Sequence, residues 1–152
     1  MARRKARELA FRTLFQAERG SSDLLDVWEQ VRLDLSVEES EAGEVYGDRL
    51  DREGIAFADT LLRDFAAHQE EIDKTLDEAI EGWNFVQMAQ TDLNVLRLAL
   101  TELRYAQEVP KEVTIEIAVR IAKKFGGEES GRFVNGVLAK LVREPARALE
   151  DA

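Results

Sequence analysis

Apolar residues recur at steps of three and four along nearly the whole of this chain, and only two prolines interrupt the pattern. Stripes of that kind are buried by packing helix against helix. Residues 3 to 19 put Ala6, Leu9, Ala10, Leu14 and Ala17 on one face, with Phe11 and Phe15 beside it, and Gly20-Ser21-Ser22 ends this helix. Ser22 or Asp23 is placed to cap a second helix carrying Leu24, Val27, Trp28, Val31 and Leu35, antiparallel to the first. Residues 36 to 53 are acidic, contain Gly43 and Gly47 and show little period, which predicts a solvated loop or frayed helical linker.

The period returns at Gly54. Ile55, Ala58, Leu61, Leu62 and Phe65, then Ile72, Leu76, Ala79, Ile80 and Trp83, predict two helices with a joint near His68 and a stop at Gly82. Thr91-Asp92 can cap the next, in which Leu93, Leu96, Ala99, Leu100, Leu103 and Ala106 lead up to Pro110. Val113 to Ile117 alternate as a strand does, but the run continues at helical spacing through Ala118, Ile121, Ala122 and Phe125, and a lone strand has nothing to pair with. Gly126-Gly127 reads as a left-handed C-cap after Lys123 and Lys124. The last helix spans Glu128 to Val142, where Asn135-Gly136 would signal a hairpin were its flanks not helical; Gly136 instead suggests close helix packing. The fold class is all-α, a compact bundle of about seven helices.

With 152 residues, 45% of them apolar, one domain is expected. Cysteine is absent, which rules out disulfides and thiolate chemistry and fits a reducing, cytoplasmic location. No run approaches a membrane span and no signal peptide opens the chain, so no membrane partner is expected. The single histidine, His68, lacks a nucleophile in motif context, and no Cys/His spacing supports a metal. Gly126, Gly127 and Gly131 lack the Lys-Ser/Thr ending of a nucleotide loop. No catalytic residue, metal or cofactor is expected.

A net charge of −10 ordinarily disfavours nucleic acid, yet the charge is segregated. Arg3, Arg4, Lys5, Arg7 and Arg12 face only Glu8 in the first twelve residues, and potentials decay within about 8 Å at physiological salt. Arginines a turn apart on one helix flank suit phosphates and bases.

Three segments resemble the NusB family of transcription antitermination proteins. RRKARELAFRTLFQ at 3–16 is similar to its arginine-rich first helix, TDLNVLRLALTEL at 91–103 to its central helix, and AKKFGGEESGRFVNGVLAKL at 122–141 to its C-terminal segment. The resemblance implies two packed helical subdomains within one NusB-like domain, residues 1–142 with the acidic 36–53 inside it, and a tail at 143–152. It implies a non-catalytic factor that binds boxA-type single-stranded RNA of ribosomal RNA operons with the ribosomal protein NusE, in a transcription elongation complex with other Nus factors. Carried over by position, the RNA-facing residues are Arg3, Arg4, Lys5 and Arg7, with Arg97, Lys111 and Arg132, while Phe15, Asp92 and Glu129 match positions of partner or RNA engagement. The chain departs from the family pattern after Pro110, where Lys111, Glu112, Glu116 and Ile117 stand, and at Gly131.

Two alternatives remain at this point. A NusB-like domain also begins ribosomal RNA cytosine methyltransferases, although the ten residues after the last helix leave no room for a methyl-donor domain. A protein-only adaptor would use the acidic body alone. Self-association into a homodimer stays open.

Overall fold

A computed structural model describes residues 3–42, 50–80 and 88–143, and among them six helices and no strand occur. These are α1 (Arg4–Gly20), α2 (Leu24–Ala42), α3 (Arg52–Ala79), α4 (Gln90–Tyr105), α5 (Lys111–Gly126) and α6 (Glu128–Arg143). The two helices expected around His68 are present as the two arms of α3, which meet at a kink where His68 leaves helical geometry at φ −126° and ψ 22°. The chain divides there into two compact units, residues 1–66 and 67–152.

In the first unit, α1 stops where Ser21 turns left-handed at φ 51° and closes the helix onto the Ala17 and Glu18 carbonyls. Asp23 then accepts from the Asp26 amide at 3.2 Å and starts α2. The helix runs on through Ala42, so the first part of the acidic stretch takes the helical alternative, while Gly43 and Gly47 lie outside the described residues. Asp51 Oδ1 accepts from the Gly54 amide at 2.8 Å and begins α3. Ala10, Leu14, Trp28, Leu62 and Phe65 are buried, each large apolar side chain adding about 1.5–3 kcal/mol relative to exposure. Asp59 fastens α2 to α3: it accepts from the Trp28 indole N–H at 2.8 Å, Arg32 at 3.2 Å and Arg63 at 3.0 Å, and Glu29 bonds Arg63 at 3.1 Å.

In the second unit, α4 is buried from Asp92 to Arg104, polar side chains included. Its polar face turns to the second half of α3. Arg97 forks onto both carboxylate oxygens of Asp73 at 2.8 and 3.0 Å, and Arg104 donates to Thr75 at 2.6 Å. Thr114 of α5 donates to Glu102, and Lys140 of α6 donates to the Ala79 carbonyl at 2.9 Å, where the α3 dipole favours a cation. His68 stacks on Tyr105 with ring centroids 4.3 Å apart.

Three local expectations are corrected. The residue ahead of α4 is Ala89, with no side-chain cap, so Thr91 and Asp92 lie inside the first turn. Gly127 has φ 96° and ψ 179°, an extended positive-φ conformation open to glycine and not the left-handed one. Close packing occurs at Gly131, where a Cβ would stand 2.4 Å from Lys123 Cγ, whereas a Cβ at Gly136 would meet nothing within 4 Å. Gly82 and residues 144–152 lie outside the described residues.

Candidate nucleic-acid interface

The α1 sequence is rich in Ala, Leu, Arg and Glu, all good helix formers, and its opening cations fall on two sides. Arg3 precedes the helix in the left-handed region, φ 59° and ψ 42°. That turn brings its guanidinium to 3.1 Å from Glu53 and 5.9 Å from the Phe57 ring centroid. Arg7, only 6% exposed, lies over the same ring at 4.7 Å and donates to the Arg3 carbonyl at 3.4 Å. A cation held on an aromatic face gains about 0.5–2 kcal/mol and keeps its charge. Arg3 and Arg7 thus clasp α1 to α3 around Phe57.

Arg4 and Lys5 are exposed, with the Arg4 Nε 3.5 Å from Glu8, which is itself buried. Phe15 is half-buried, tilted against Phe11 at 6.1 Å between centroids, and carries the Arg19 guanidinium at 5.8 Å. Of the expected cluster, then, Arg4 and Lys5 offer outward charge, and Arg3 and Arg7 shape the surface beneath it.

The other candidates belong to the second unit. Lys111 opens α5 directly after Pro110 and is exposed; Glu129 and Arg132 are exposed one turn apart on α6. Glu129 suits the positive end of the α6 dipole. Arg97, 7% exposed, has its fork occupied by Asp73 and also donates to Asn94 Oδ1 at 3.3 Å. Asp92 is 8% exposed, and its Oδ1 has no hydrogen-bond partner among the described residues. A buried carboxylate oxygen left so costs free energy unless a donor reaches it.

Beyond the RNA-facing positions carried over, Arg12 of the basic opening and Arg19 are exposed on α1 at intervals of seven from Lys5, a spacing visible in the sequence. The Asp59 cluster has no such signal, because its members are 27 to 34 residues apart where they bridge α2 and α3. Burial raises the Asp59 carboxyl, but the bonds from Trp28 and Arg63 and the charges of Arg63 and Arg32 outweigh it and hold the carboxyl below its usual range. Among the described residues, no group of three His, Cys, Asp or Glu side chains could hold a metal, and no helix is long and apolar enough to cross a membrane.

The profile described as the NusB family matches residues 4–143. A transcription antitermination protein NusB from Thermus thermophilus is 50% identical over 144 residues, 95% of this chain and 92% of that protein. Among solved structures, T. maritima NusB is similar with a TM-score of 0.77 and 34% identity, covering 97% of this chain and 96% of that one. A structure of the antitermination factors NusB and NusE in complex with double-stranded RNA shares the fold, with a TM-score of 0.75, 24% identity and coverage of 93% and 96%.

Proposed function

This chain belongs to the NusB family of transcription antitermination proteins, and from that premise we propose that α1 grips boxA-type single-stranded RNA of ribosomal RNA operons while NusE docks beside it. The protein is an RNA-binding antitermination factor and not an enzyme. The observation that carries the RNA reading to particular residues is the outward pair Arg4 and Lys5, set on a helix that Arg3 and Arg7 fasten through Phe57. Phosphate contacts from this pair supply salt-dependent affinity, and base contacts supply sequence preference.

Lys111 and Arg132, both exposed, are the further cations of this reading, and Phe15, Asp92 and Glu129 its partner-facing residues. Asp92 gains a role if a partner cation or N–H reaches its unsatisfied oxygen. Arg97 contributes by ordering α4 on α3 and not by touching phosphate, since both its outer nitrogens are committed. In this reading the protein acts in the cytoplasm, at the elongation complex with other Nus factors. A homodimer that covered α1 would compete with RNA and show as a dependence of the titration on protein concentration.

The experiment is a titration of labelled boxA-type RNA, single-stranded and duplex, over a range of salt with and without NusE. Arg4→Ala with Lys5→Ala is expected to weaken binding and lower the log–log salt slope by about 0.7 per lost phosphate contact. Binding to NusE should survive. Absence of RNA binding with NusE present would leave a protein-only adaptor.

A further inference from the structure

We infer that the RNA track continues past the arginine-rich opening along the outer face of α1, through Arg12 to Arg19. The inference rests on the RNA-binding reading above and extends it to residues that reading does not use. Lys5, Arg12 and Arg19 are all exposed and are separated by seven residues each. Seven residues turn a helix through nearly two full circles, so successive members drift by only about 20° and form one line. At about 1.5 Å per residue that line is about 21 Å long.

The helix bears six cations, counting Arg3 at its entry, against Glu8 and Glu18. Glu8 is buried and pairs with Arg4. Gln16, exposed between Arg12 and Arg19, adds hydrogen-bonding capacity without charge. The Arg19 guanidinium stands 5.8 Å from the centroid of the half-buried Phe15 ring, so the line of charge ends next to the residue assigned above to the protein partner. A row of cations that tracks a phosphate backbone is the part of single-strand binding that does not depend on reading each base. On a molecule of net charge −10, a line of exposed like cations on one face is a local surface complementary to an anionic polymer.

The test uses the full-length protein with NusE and a labelled single-stranded RNA of boxA-type sequence, in a long version and one trimmed at either end. Arg12→Gln with Arg19→Gln should lower the log–log salt slope by about 1.4 for the long RNA, and by less for at least one trimmed RNA. Arg12→Lys with Arg19→Lys should keep most of the slope, because phosphate attraction follows charge. Thermal melting checks that the variants fold, and Arg19→Gln alone, at the last turn, gives the same readout at half the size should the pair fail to fold. An unchanged slope in the Gln pair, beside a flattened slope in Arg4→Ala with Lys5→Ala, overturns the extended track and leaves RNA binding intact. A Gln pair that binds RNA normally but loses NusE would make the stripe a protein face. If the wild-type complex binds no RNA at any salt, the RNA reading itself fails.

Discussion

Removing the Asp59 carboxylate withdraws the acceptor that Trp28, Arg32 and Arg63 share. Asp59→Asn is expected to cost about 1–2 kcal/mol in urea denaturation at neutral pH. The sign of the pH effect follows from a carboxyl lowered on folding: the stabilisation is complete above the unfolded value of about 3.9 and fades as pH falls through the folded one. Wild type and variant should therefore converge in acid melts, and a gap that persisted below both values would contradict the assignment. Arg97→Ala, which leaves the partly exposed Asp73 without its fork, should cost about 1.5–3 kcal/mol and leave the RNA salt slope where it was. The sequence could place Arg97 on a polar helix face with Thr101 and Arg104, but a polar face turned to solvent and one turned to a neighbouring helix have the same spacing. Only the three-dimensional pairing with Asp73 and Thr75 distinguishes them.

Helix ends at glycine and the break at His68 were legible because backbone conformation there depends on local chemistry. Gly20 with Ser21 and Gly126 with Gly127 close their helices where the residues themselves demand it. The start of α4 was not, since the preference of Thr91 and Asp92 for caps is smaller than the gain from extending a helix that is buried almost throughout. Close packing at Gly136 is the wrong expectation although the register holds the answer: Gly131, Val134, Leu138 and Leu141 share the buried side of α6, and Gly136 does not. Gly136→Ala should accordingly stabilise the protein by about 0.5–1 kcal/mol, as read by chemical denaturation. Gly127→Ala, at φ 96°, should destabilise it by about 1–3 kcal/mol. Equal effects at the two positions would show that the α5–α6 connection differs from the one described.

An acidic body with one cationic helix responds to salt in two directions. Added salt relieves the self-repulsion of a chain with net charge −10 and should hold or raise its melting temperature, while the same salt weakens RNA binding. A melting temperature that fell in step with RNA affinity would refute this division. The total charge concealed the function, and resemblance in three segments revealed it, because recognition depends on what lies within a few ångströms and composition averages over the whole surface. The left-handed turn at Arg3 carries that locality down to neighbouring residues. It sets the Arg3 guanidinium beside the Phe57 ring that the buried Arg7 covers, while Arg4 and Lys5 between them stay outside. Replacing these four one at a time should give two phenotypes: early melting, larger at Arg7 than at Arg3, and at Arg4 and Lys5 proteins that melt normally yet release nucleic acid.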